Sequence, residues 1–276
     1  LYGGTINLMG KSFRKFGWNS VFVDNDNPEA FRAAVTEKTR AIFVESLANP
    51  GGVIVDLEAI AKIAQEAEVP LIVDNTMATP WLCRPFEWGA DLVVHSTTKF
   101  LSGQGNAMGG IVIDSGRFPW FGNAKYPSLS EPCPDYNGLT FAETFGDMAF
   151  TLYSHAVSLR DLGCTQSPMN AWITLNGVET LPLRMERHVE NAQKVAGFLQ
   201  QHPSVEWVSY AGLSSSPYYQ LAQKYLQGKA GSVFTFGIRG GYESGLRLLE
   251  KVELFSHVSN IGDSRSLILH PASTTH

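Results

Sequence analysis

Short apolar runs that stop abruptly at a polar group constrain this chain more than any other feature. Ala41-Ile42-Phe43-Val44 runs into Glu45 and, a few residues on, Asn49. Leu71-Ile72-Val73 ends at Asp74. Leu92-Val93-Val94 runs into His95, Ser96, Thr97, Thr98 and Lys99. Runs of this kind, short and without polar alternation, read as strands buried on both faces, the habit of parallel sheets. Helical patterns stand between them. Asn27-Pro28-Glu29 supplies a cap, a first-turn proline and an acid, and predicts a helix over 29–35. Asp56 caps another over 57–67, whose Leu57, Ile60, Ala61 and Ala64 share one face. Strands alternating with helices predict an α/β fold with right-handed crossovers. Ligands of such sheets lie beyond the carboxyl ends of the strands. Asn49, Asp74 and Lys99 each stand just past such an end. Further strands are predicted over 20–24 and 110–114.

Of these groups Lys99 has the most pointed chemistry. A lysine at the end of a buried strand is poorly hydrated, so its neutral amine is easier to reach. A neutral amine condenses with aldehydes, and the hydroxyls of Ser96 and Thr98 are placed to hold a phosphate. An aldehyde and a phosphate on one small molecule describe pyridoxal 5'-phosphate. Asp74 would pair with the protonated ring nitrogen of that cofactor, Tyr2 could stack on the ring, and Asn49 could bond its hydroxyl. Each residue type also has an ordinary role: solvated lysine, turn aspartate, packed tyrosine, turn-forming asparagine before proline.

The second half has a different rhythm. Residues 117–148 are rich in Pro, Gly and aromatics with little period, an irregular excursion of the kind used for lids or interfaces. Helix returns over 149–165, and a long helical stretch over 177–201 contains Pro182, which predicts a kink or a break. Strands are expected over 205–210, 232–239 and 266–269, with helices over 218–226 and 242–254. A large domain over 1–190 and a smaller C-terminal domain over 191–276 follow.

Composition narrows the function. The 276 residues are 44% hydrophobic with a net charge of −5 and scattered basic groups, which argues against a nucleic-acid partner. No apolar run approaches a membrane span. Three distant cysteines make neither a disulfide framework nor a zinc pattern, and a cytoplasmic setting is expected. His270 and His276 lack a third ligand nearby in sequence, so no metal is expected. The glycines from Gly103 to Gly110 have the wrong spacing and context for a dinucleotide loop.

Four motifs then occur together: Tyr2-Gly3-Gly4-Thr5, Asp74-Asn75-Thr76, Ser96-Thr97-Thr98-Lys99 and His270-Pro271-Ala272-Ser273-Thr274-Thr275-His276. In order and spacing they resemble the Cys/Met-metabolism family of pyridoxal-phosphate enzymes, over essentially the whole chain. Asn260-Ile261-Gly262-Asp263 and Gly177-Val178-Glu179-Thr180 resemble its homoserine-ester sulfhydrylase branch. The resemblance implies a fold-type I transferase, with a mainly parallel sheet in the large domain and a smaller C-terminal α/β domain. By position it implies that Lys99 carries the cofactor and moves protons, with Tyr2 assisting. Asp74, Ser96, Thr98, Tyr2, Asn49 and Thr76 would bind the cofactor, and Asn260 would touch the substrate.

The implied reaction is γ-replacement: sulfide or a thiol displaces acetate from O-acetyl-L-homoserine, giving homocysteine or a thioether for methionine and cysteine biosynthesis. The partners implied are a small amino-acid substrate and further copies of the chain, as a dimer or tetramer. Cystathionine γ-synthase or γ-lyase chemistry is the alternative within the family, and a non-catalytic scaffold the alternative outside it. Family members have an upstream phosphate turn with a Tyr-x-Arg, and a downstream arginine for the substrate carboxylate. Neither lies in this sequence, which suggests a chain cut at both ends.

Overall fold

The computed structural model of the chain describes residues 1–274; Thr275 and His276, the end of the fourth motif, lie outside the described residues. The predicted runs form one sheet. Strands β1 (Ile42–Glu45), β2 (Leu71–Asp74) and β3 (Leu92–Ser96) lie side by side and parallel. Strand β4 (Gly110–Asp114) adds to β3 in the antiparallel sense. The register sets Glu45 beside Asp74, and Asp74 beside Val94. Three chain segments therefore leave the sheet in one direction at one edge, as the sequence pattern requires.

Helix Leu57–Glu66 starts where predicted, its Ala59 N–H bonded to the Asp56 carboxylate at 3.3 Å. It buries Leu57, Ile60, Ile63 and Ala64, each worth about 1.5–3 kcal/mol when the residue is a large aliphatic. Helix Pro28–Ala34 is capped by Asn27 through the Glu29 N–H. Residues 20–24 form no strand: Val21 and Phe22 are exposed, and β1 pairs only with β2 among the described residues. An apolar segment without a partner strand has nowhere to place its backbone hydrogen bonds.

Pro182 breaks the long helical stretch. Helix Pro168–Glu179 ends, and helix Leu181–Gln201 begins with Pro182 in its first turn, where the missing N–H costs nothing. The second helix turns Leu181, Met185, Val189, Ala192 and Ala196 inward. They join a core that holds Val44, Leu71 and Val73 from the sheet and Tyr210, Tyr225 and Leu226 from the C-terminal third. Strands β5 (Val205–Ser209) and β6 (Thr235–Ile238) pair antiparallel, and β7 (Ser256–His257) with β8 (Leu267–Ile268) parallel. The predicted irregular excursion is organised after all. Phe118, Trp120, Leu129, Phe141, Ala142 and Ala149 make a second, separate core, with Trp120 stacked on Phe150. No described helix is long and apolar enough to cross a membrane.

Candidate functional site

The site is built where β2 and β3 end. Asp74 closes β2, and its carboxylate accepts the Thr76 N–H at 2.9 Å. Burial, the dominant effect, raises its pKa against that hydrogen bond. It forms no ion pair among the described residues. Thr76 faces both ways: its hydroxyl oxygen also accepts the Ser96 N–H at 2.8 Å. Thr76 thus ties the end of β2 to the end of β3.

After Ser96 the chain makes a tight turn. Lys99 N–H reaches Ser96 O at 3.3 Å, Ser102 N–H reaches Thr97 O at 3.0 Å, and Gly103 N–H reaches Lys99 O at 2.9 Å. Thr98 is used inside this turn; its hydroxyl accepts from Gly109 N–H at 3.1 Å and donates to Gly109 O at 3.3 Å. The Ser96 hydroxyl has no hydrogen-bond partner among the described residues. The two predicted phosphate groups are therefore not equivalent.

Lys99 is half-buried, and burial lowers its pKa. Its Nζ donates to Asn260 Oδ1 at 2.5 Å. Asn260, read from sequence as a substrate contact, here holds the lysine. Its loop comes very close: a Cβ on Gly262, whose φ is +76°, would stand 2.5 Å from the Phe100 nitrogen and 2.7 Å from the Lys99 carbonyl carbon. Only glycine allows that approach. Within the same loop, buried Asp263 accepts from Arg265 Nε at 3.1 Å and Nη2 at 3.0 Å. On the far side of the turn, Arg184 donates to Phe100 O at 2.8 Å and to Gly177 O at 2.6 Å.

Tyr2 and Asn49 meet at a residue that the sequence reading did not single out. Glu45 closes β1, buried, and its Oε1 accepts the Tyr2 N–H at 2.6 Å while Oε2 accepts the Asn49 N–H at 3.2 Å. The signal was there: Glu45 ends an apolar run as Asp74 does. The predicted residues thus fall into two groups, Asp74, Thr76, Ser96, Thr98, Lys99 and Asn260 in one and Tyr2 and Asn49 in the other, the second held by Glu45, whose register with Asp74 joins the two. A cleft of about 430 Å³, lined by Gln104, Trp172 and Arg184 among others, includes neither Lys99 nor Asp74. Convergence of polar groups, rather than volume, marks the strand ends. Among the described residues no group of His, Cys, Asp and Glu could hold a metal.

Comparison with known proteins bears on the family and the fold. The O-acetyl-L-homoserine sulfhydrylase of Leptospira meyeri is 51% identical over the whole chain, which covers 64% of that protein. O-acetyl-L-homoserine sulfhydrylase 1 of Thermus thermophilus is 48% identical, with 66% of it covered. A crystal structure of a Campylobacter jejuni protein assigned as an O-acetylhomoserine (thiol)-lyase, containing a pyridoxyl-lysine monophosphate, superposes with a TM-score of 0.96 at 40% identity. It matches all of this chain and 66% of its own. The expected fold class is therefore the fold found, and the chain spans just under two thirds of the relatives' length. Residues 1–276 match throughout the model described as Cys/Met metabolism PLP-dependent enzyme, and the chain belongs to that family.

Proposed function

We propose that the chain forms the catalytic body of an O-acetylhomoserine sulfhydrylase using pyridoxal 5'-phosphate. The observation that carries this is Lys99: a half-buried amine of lowered pKa, held by one hydrogen bond at a strand end that also presents Asp74 and Ser96. The residues suit the cofactor. Asp74 is a partly buried carboxylate with no ion-pair partner among the described residues, the partner a protonated ring nitrogen needs. Ser96 has a spare hydroxyl for a phosphate oxygen. When bound, the cofactor supplies an electron-poor ring that stabilises negative charge developing on substrate carbons.

The chain's own residues do the rest. Asp74 holds the positive charge at the ring nitrogen. Lys99, with its amine free, would take a proton from the substrate's α-carbon, and removal of a β-proton would let acetate leave the γ-carbon. Asn260 keeps the Lys99 amine aimed while it waits. Tyr2 would stack on the ring and assist proton transfer at the leaving group; Asn49 and Thr76 would help to hold the ring, and Thr98 shapes the turn that would hold the phosphate. Sulfide or a thiol adds at the γ-carbon, and return of the protons gives homocysteine or a thioether.

The relatives' printed activities support the substrate, O-acetyl-L-homoserine with sulfide. A homo-oligomer, a division into domains near 190/191 and a cytoplasmic setting complete the proposal; the three cysteines are unpaired, which suits a reducing compartment. The test is product analysis. With O-acetylhomoserine and sulfide, homocysteine and acetate are expected in equal amounts, and borohydride should fix the cofactor on the Lys99 peptide. Sulfide-independent release of ammonia and a keto acid would sink the replacement reading. Failure to retain any cofactor would sink the enzyme reading.

A further inference from the structure

We propose that Glu45 is the positioning residue of this site: one carboxylate that clamps both Tyr2 and Asn49 over the strand end beside Asp74. The inference rests on the proposed function, because it assigns a purpose to Tyr2 and Asn49. Its physical basis is separate. Neither Tyr2 nor Asn49 makes a ladder hydrogen bond among the described residues, although Ala48 beside Asn49 donates to Val53 O at 2.8 Å and accepts from Gly52 N–H at 3.1 Å. Tyr2 precedes a short helix, Gly3–Asn7, and is itself more than half exposed. Asn49 lies in the loop after β1.

Glu45 is 6% exposed, and both its oxygens face inward-pointing N–H groups, at 2.6 Å from Tyr2 and 3.2 Å from Asn49. Charge-assisted bonds of this type are shorter and about twice as strong as neutral ones. The burial of a carboxylate is costly, and burial does raise the Glu45 pKa. A carboxylate kept there in spite of that cost, next in register to Asp74, is explained by what it holds. Asp74 spends one oxygen on Thr76 and keeps the rest of its capacity; Glu45 spends both on backbone. One acid faces the ring, and its neighbour fixes what surrounds the ring.

Glu45→Gln tests this. Glutamine keeps the volume but offers one acceptor where two N–H groups require two. In the cofactor-free protein, amide exchange at Tyr2 or Asn49 should speed up by about tenfold or more. In the loaded protein, the circular dichroism of the cofactor's visible band should change, since the surroundings of the ring have moved. kcat/KM should fall about ten- to a hundredfold, and much less in a Tyr2→Phe background, because the two changes disable one element. Unchanged exchange at both amides overturns the clamp. Faster exchange with an unchanged dichroic band and additive kinetics reduces Glu45 to a structural acid and also overturns the proposal. If Glu45→Gln does not fold, Glu45→Asp, which keeps the charge but shortens the reach, takes its place in every arm. Wild-type protein that shows no visible band with pyridoxal phosphate defeats the proposed function instead, and the cofactor half of this inference falls with it.

Discussion

The two ends of the sheet carry partly or fully buried acids and use them differently. At the carboxyl end stand Glu45 and Asp74. At the amino end, Asp91 precedes β3, and its Oδ2 accepts the Leu71 N–H at 2.8 Å. Burial raises the pKa of all three. Its charged neighbour is Asp114, and the nearby Tyr126 hydroxyl bonds the Arg40 carbonyl at 2.7 Å, another structural tie. A perturbed acid is therefore no mark of a site by itself. What separates the ends is company: an aimed amine and an unpartnered hydroxyl lie near Asp74.

The largest expected effect is at the lysine. Lys99→Ala should prevent borohydride fixation of the cofactor and cost roughly 10³-fold or more in kcat/KM, while the melting temperature of the cofactor-free protein stays close to wild type. Retained activity would erase the distinction between the two ends. Next comes Asp74→Ala, expected to cost about 10²- to 10³-fold in activity through the lost counter-charge. The matching Asp91→Ala should instead leave the buried Leu71 N–H unpaired, costing about 1–3 kcal/mol of stability in denaturant titration with kcat/KM within about twofold. Reversed outcomes for this pair would place the site at the wrong end.

Gly262→Ala should act on both quantities. A side chain at that positive φ, pressed on the Lys99 backbone, is expected to cost about 1–3 kcal/mol and to loosen the Lys99–Asn260 bond, seen as a shifted pH dependence of cofactor attachment. The smallest effect concerns acid. Asp91 has a folded pKa above its unfolded value of about 3.9, through burial first and nearby Asp114 second. The folded state then holds the proton longer, so this group subtracts stability as pH rises through that window and the loss is complete above its folded pKa. Asp91→Asn keeps an acceptor for Leu71 and removes the titration. Its melting temperature relative to wild type should rise with pH across the window and then level off.

Much of this was legible because buried parallel strands write themselves as unbroken apolar runs. The ends of β1, β2 and β3, and hence Asn49, Asp74 and Lys99, could be read directly. The run over 20–24 misled for a physical reason: strand propensity without a neighbouring strand is not a strand. The excursion over 117–148 looked formless because aromatic packing has no period; Phe118, Trp120 and Phe141 meet through turns rather than along a face. The Glu45–Tyr2 bond and the Gly262 approach are contacts across long sequence separations, and a linear pattern cannot show which segment will arrive. Asn260 was named from family likeness, but its bond to Lys99 spans 161 residues and only the fold reveals it.

That span has a consequence in time. A ribosome adds about 5–20 residues per second, so about ten to thirty seconds separate the synthesis of Lys99 from that of Asn260. During that interval the amine is already made, and the loop that aims it is not. On the proposed role of Lys99, attachment of the cofactor in the aimed geometry awaits the synthesis of Asn260.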